Sequence, residues 1–150
     1  MKLKTTDQPI HLLPIFLMEQ IVKRYRAIAQ QSISRHEPDL TVDQWLVLKQ
    51  ISENNGSSQV EIAASTVKDA PTTTRIIDHL GKKELIRKEL DPEDRRRHRV
   101  FTTPRGERLI EKLLPVVHHY RQIPERAFSA HEREQMLSLL KRMLFNLEED

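Results

Sequence analysis

Cysteine is absent from this chain of 150 residues, and glycine occurs only three times. Without cysteine there is no disulfide, no thiolate ligand for zinc or an iron–sulfur cluster, and no thiol redox switch. So few glycines argue against a hairpin-rich all-β fold, a glycine-rich loop around a phosphate, and a dinucleotide fingerprint. No apolar run approaches the roughly 20 residues that cross a bilayer. The N-terminal stretch is basic and then apolar, but Pro9, His11 and Pro14 interrupt it and no small-residue cleavage site follows, so it does not read as a targeting segment. The sequence also lacks G-x-S-x-G, a Walker loop, H-E-x-x-H and H-x3-H. The expectation is a soluble, cytoplasmic protein that is not an enzyme, with no membrane partner, no metal and no cofactor.

What is present is enough chain for one domain with a core that needs no staples. Hydrophobic residues make up 37% and charged residues 31%, and 25 Lys+Arg against 22 Asp+Glu leave a formal charge of +3. That excess is too small to identify a polyanionic partner, so the placement of the charges matters more than their sum.

Helical spacing dominates. Leu13, Leu17, Ile21, Tyr25 and Ile28 predict a first helix ending near His36, with Pro14 in its first turn. Thr41 with Gln44, Ser58 with Glu61, and Ser129 with Glu132 are three capping boxes, each opening a helix. The second of these is a short helix reaching about Val67. Asp69 can cap the next, which carries Ile76, Ile77 and Leu80 and ends near Lys83. From Leu85 the period changes to two: residues 85–90 and 99–102 read as strands around the charged loop 91–98. Thr103 then caps a long helix with Pro104 at its first position, which Pro115 should kink, and a last helix carries Met136, Leu140, Met143 and Leu147.

The expected fold is mostly α: a winged helix-turn-helix, built of a three-helix unit and a two- to three-stranded wing, over residues 41–103. Long helices over 8–36 and 104–148, with apolar faces too large for the small unit to cover, form a dimerisation region of the same compact subunit.

Two constellations carry function. In a helix-turn-helix the second helix enters the major groove by its N-terminal residues, here Pro71, Thr72, Thr73, Thr74 and Arg75. A threonine offers a hydroxyl to phosphate or base and a methyl to thymine, and an arginine can fork to guanine. The plainer account, a polar first turn, is set aside because a capped short helix precedes it and a hairpin follows. The second constellation is the loop after it, with Arg95, Arg96, Arg97 and Arg99 behind Asp91, Glu93 and Asp94. A protruding arginine suits a narrow minor groove, and Asp94 can fix the direction of Arg96. The alternative is a charge-balanced solvated turn. The seven histidines read as scattered surface or capping residues; His118 and His119 are adjacent and point to different helix faces.

These motifs resemble the MarR family of bacterial transcription factors. The resemblance runs from about Leu40 to Gly106 through LTVDQWLVL, QVEIA, TRIIDHL with ELIRKE, and DPEDRRRHRVFTTPRG. It implies a homodimer on a pseudo-palindromic operator in double-stranded DNA, Arg96 in the minor groove partnered by Asp94, and in most cases repression. It also implies release by a small, often phenolic or aromatic, effector between the dimer interface and the DNA-binding lobe, for which Phe16, Tyr25 and Trp45 are the candidate lining, Trp45 being equally readable as core. Two positions depart from the pattern: Glu84 stands where the family usually has glycine, and Thr102 where it has leucine. Gly81 offers another way for the preceding helix to close. The competing function is a winged-helix adaptor that binds acidic proteins and never reads DNA.

Overall fold

A computed structural model describes residues 8–149; residues 1–7, which entered the reading of the N-terminus, lie outside them. A single 3-10 turn at Ile10–Leu12 leads into α1 (Pro14–Ser34), α2 (Val42–Glu53), β1 (Ser57–Ser58), α3 (Gln59–Ala64) and α4 (Ala70–Lys82). Strands β2 (Ile86–Leu90) and β3 (His98–Thr102) follow, then α5 (Pro104–Arg121) and α6 (Ala130–Glu148). The fold is mostly helical with a small antiparallel sheet in the order β1-β3-β2, a winged helix. Ile86 lies opposite Thr102 and Leu90 opposite His98. The very short β1 pairs Ser57 with Val100; with two residues it has no alternation that a sequence could display.

The helix starts are set locally. All three capping boxes form both arms: Thr41 with Gln44, Ser58 with Glu61 and Ser129 with Glu132. Each satisfies amide groups that the first turn of a helix otherwise leaves without partners. Asp69 and Thr103 cap α4 and α5 by accepting from the amides of Thr72 and Gly106. The helix α3 stops at Ala64, three residues short of the expected end, where the Ser65 and Thr66 hydroxyls turn back to the carbonyls of Ile62 and Ala63. Pro115 does not interrupt α5, which runs as one helix through it.

One core joins the winged unit to the flanking helices. Trp45, Leu48 and Ile51 of α2, Ile77 and Leu80 of α4 and Val100 of β3 are buried together with Ala29 and Ile33 of α1 and Leu113, Val117 and Tyr120 of α5. By contrast α6 buries none of its residues.

The end of α4 closes by a left-handed residue. Glu84 has φ +58°; its amide donates to the Gly81 carbonyl (2.9 Å) and that of Leu85 to the Leu80 carbonyl (3.1 Å). These are the two bonds of a Schellman motif, for which glycine is the favoured residue. Gly81 therefore does not supply another closure: the backbone takes the conformation that the resemblance implies, with glutamate in it. The reason is tertiary, because the Glu84 carbonyl accepts from the Thr103 hydroxyl (2.7 Å) and the Thr103 amide donates to the Leu85 carbonyl (3.1 Å). Glu84→Gly should raise stability by about 1 kcal/mol, since a side chain in the left-handed region costs roughly that much and the lost Glu84–Arg105 surface pair contributes little. An unchanged or lower denaturation midpoint would contradict this.

Thr102 has a use of its own. Its amide donates to Asn55 Oδ1 at 2.8 Å, and its one hydroxyl hydrogen is shared between Asn55 Oδ1, at 3.1 Å, and the Glu107 carboxylate, which also accepts from the Ser52 hydroxyl at 3.1 Å. A polar tie between α2, β3 and α5 stands where leucine would give an apolar contact.

Candidate nucleic-acid interface

The start of α4 presents three of its five candidate residues plainly. Pro71, Thr74 and Arg75 are exposed, and Thr72 is half-buried. Arg75 makes no ion pair among the described residues. The hydroxyl of Thr74 donates back to the Ala70 carbonyl at 3.0 Å and keeps its lone pairs outward. Asp69 holds the helix start, and the hydrogen bond from the Thr72 amide holds its carboxyl below the usual carboxylate range.

Thr73 does not belong with them. It is fully buried, its hydroxyl donating to the Asp69 carbonyl at 3.0 Å and lying 3.2 Å from the Thr66 hydroxyl. It precedes Ile77 by four residues and Leu80 by seven, so it shares their inward face. A base or phosphate cannot reach it, and its role is to seat α4 against the turn after α3. Lys68, just before the cap, pairs with Asp43 at 3.3 Å. Asp43 also binds Arg26 at 2.6 Å; burial pushes its carboxyl up, and the two cations outweigh that and lower it.

The wing is a charged tip on a tied base. Asp91 accepts from the Glu93 amide at 2.8 Å and from Arg99 Nε at 3.0 Å, and these contacts, the amide first, keep its carboxyl low. Asp94 accepts from both the amide and Nε of Arg96, at 3.0 and 3.2 Å, and lies 3.7 Å from Arg97 Nε. The Arg96 side chain is nevertheless 91% exposed. Asp94 thus orients the guanidinium by one edge and leaves the rest of the fork to a ligand, while Arg95 and Arg97 are exposed beside it. At the base, Arg87 stacks on the Phe101 ring at 4.6 Å.

One connection was not legible in the sequence. Lys88 of β2 pairs with Asp78 of α4 at 2.6 Å, fixing the wing to the helix and occupying the one carboxylate that α4 carries. A strand alternation and a helix period are each visible, but nothing in either says which residues of the two elements meet.

Phe16, Tyr25 and Trp45 are the residues expected to line an effector pocket. Trp45 is fully buried in the core. Tyr25 packs edge-on against Tyr120, with centroids 5.7 Å apart. Phe16 is nine residues from Tyr25 on α1, roughly 13.5 Å along the axis. Tyr25 packs against the same core that holds Trp45, and Phe16 stands farther along α1. Among the described residues no helix is long and apolar enough to cross a membrane, and no three His, Asp or Glu side chains gather as a metal site.

Comparison with known proteins adds to this geometry. The model of the MarR family matches residues 40–98. The chain is 31% identical over 139 residues to the HTH-type transcriptional repressor NicR of Pseudomonas putida, covering 93% of this chain and 84% of that protein. Among solved structures it is similar to BpsR of Bordetella bronchiseptica, whose DNA binding is regulated by 6-hydroxynicotinic acid, with a TM-score of 0.76, 30% identity and coverage of 85% of this chain and 95% of that one. It is also similar to MepR of S. aureus in complex with DNA, with a TM-score of 0.81, 26% identity and coverage of 90% and 98%.

Proposed function

From the premise that this chain belongs to the MarR family, we propose that it is a sequence-specific DNA-binding transcriptional regulator, a homodimeric repressor that a small aromatic ligand releases from a pseudo-palindromic operator. The observation that carries the DNA reading is Arg96: a guanidinium held by Asp94 at 3.2 Å and still almost wholly open at the tip of a wing. A turn that merely balanced its charges would spend that arginine on its carboxylates. With α4 in a major groove, Pro71, Thr72, Thr74 and Arg75 face the DNA, and Arg95, Arg96 and Arg97 follow the backbone into the adjacent minor groove. The likeness to a repressor, and to a regulator answering to 6-hydroxynicotinic acid, supports repression and an aromatic acid as effector.

The dimer reading rests on uncovered apolar surface. Leu17 and Ile21 of α1 and Leu144 and Leu147 of α6 are about half exposed or more, and α6 buries nothing within the chain. Patches of this extent are characteristic of an interface. A second copy covers both helices by the same operation, as twofold symmetry requires.

The experiment is an electrophoretic shift with DNA from upstream of the protein's own gene, repeated over a salt series. Binding should weaken steeply, with log K falling linearly in log salt as phosphate contacts release counterions. A flat plot, or no shift at low salt, would favour an adaptor for acidic proteins.

A further inference from the structure

Past its first residue, β2 leaves the core. Ile86 is buried, whereas Arg87, Lys88, Glu89 and Leu90 are exposed, and β2 is an edge strand with β3 as its one neighbour. Beyond the pairing of β1 with Arg99 and Val100 the wing is a two-stranded hairpin. Its backbone hydrogen bonds hold the strands to each other but not to α4, and two strands alone are marginally stable.

Side chains alternate between the faces of the sheet. Arg87 and Glu89 lie on one face, where Arg87 stacks on Phe101 at 4.6 Å and pairs with Glu89. Lys88 lies on the other face with Ile86, and its Nζ donates to Asp78 Oδ1 of α4 at 2.6 Å. Among the described residues no other ion pair joins α4 to the wing. Asp78 stands on the exposed face of α4, three residues after Arg75 and four after Thr74, and so on the side that those residues turn to DNA.

We infer that Lys88 and Asp78 are positioning residues for DNA recognition: their ion pair fixes the tilt of the wing against α4, so that α4 and Arg96 meet adjacent grooves together. This rests on the reading of the chain as a DNA-binding protein and deepens it. A strand advances about 3.3 Å per residue, which puts Leu90 roughly 13 Å beyond Ile86, so a tilt of about 10° at Ile86 moves the tip by about 2 Å. Arg96 moves with the tip, and a displacement of that size separates a hydrogen bond from none. Asp94 fixes the Arg96 fork within the wing, and Lys88 fixes the wing itself. An exposed ion pair adds little to stability, but here it narrows the orientations that binding must otherwise remove. The pair also cancels the one carboxylate that α4 would turn to the phosphates. A lysine serving only as a phosphate contact would be better placed without Asp78.

The test first reads the tilt without DNA. The chain has no cysteine, so Glu93→Cys and Lys82→Cys, both at exposed positions, take spin labels that report the distance from wing to helix. Asp78→Asn and Lys88→Met should broaden the distribution of that distance, and Lys88→Arg should leave it narrow. The second readout is discrimination, the ratio of affinities for DNA from upstream of the gene and for random-sequence DNA of equal length, in which general charge effects cancel. Asp78→Asn and Lys88→Met should lower it about three- to fivefold, the scale that an exposed pair can hold, and Lys88→Arg should retain it. In an Arg96→Ala background the same substitutions should cost nothing further, because the wing then has no arginine to place. An unchanged distance distribution in Asp78→Asn, unchanged discrimination in both variants, or losses that simply multiply with that of Arg96→Ala would each overturn the positioning role. If the distribution broadens as expected but the unaltered protein shifts no DNA, the pair still fixes the wing, and the DNA-binding reading fails and takes the positioning role with it.

Discussion

Arg96→Ala should weaken binding to DNA from upstream of the gene by more than tenfold at fixed salt, while the protein keeps its fold. Tenfold corresponds to about 1.4 kcal/mol, within reach of one arginine placed where a narrow minor groove concentrates negative potential. The side chain is 91% exposed and its one partner is Asp94, so its removal leaves no buried group without a partner and the denaturation midpoint should not move. Asp94 makes the prediction sharper. By accepting from both the amide and Nε of Arg96, it fixes the guanidinium before DNA arrives, so that less freedom is lost on binding. Asp94→Ala should therefore weaken binding in the same direction but less, since the charge remains. Equal affinity of Arg96→Ala and the unaltered protein, in a shift or anisotropy assay at one salt concentration, would remove the wing from the interface.

Gly106→Ala should destabilise the protein by about 3 kcal/mol or more, the scale of overpacking against atoms that cannot move aside. An alanine is ordinarily worth up to about 1 kcal/mol over glycine in a helix, so the sign itself is diagnostic. At Gly106 an added Cβ would fall far inside contact with the Leu85 carbonyl oxygen. That carbonyl already accepts from the Thr103 amide, and α5 is pinned there by the Thr103 hydroxyl on Glu84. Neither partner can shift without undoing the junction between α4, β2 and α5. Gly81 is the internal control, with nothing within 4 Å of an added Cβ. Gly81→Ala should be neutral or gain up to about 1 kcal/mol. Urea denaturation of the two variants side by side decides it: similar midpoints would mean that the close approach at Leu85 is not rigid.

Much of the fold was legible because it is written locally. The three capping boxes, the Asp69 and Thr103 caps and the change of period at Leu85 are each set within a few residues, and all are found. The charged wing after a capped helix pair was legible for the same reason. Thr73 was misassigned although its spacing from Ile77 and Leu80 carried the answer: three threonines in a row are about 100° apart around a helix, so they cannot all face one partner. The surroundings of Phe16, Tyr25 and Trp45 were not legible, since spacing along a helix does not say which residues another element covers.

By itself the sequence determined the order of elements, where each helix begins, the place of the arginine-rich tip, and the family that this pattern resembles. These depend on hydrogen bonds and periodicities that close within four residues or so. Only the tertiary structure decided that Glu84 takes a left-handed conformation, that Thr73 turns inward, and that Lys88 ties the wing to α4 through Asp78. Each of these joins residues far apart in the chain, where the outcome depends on which surfaces meet in packing, and no local rule contains that information.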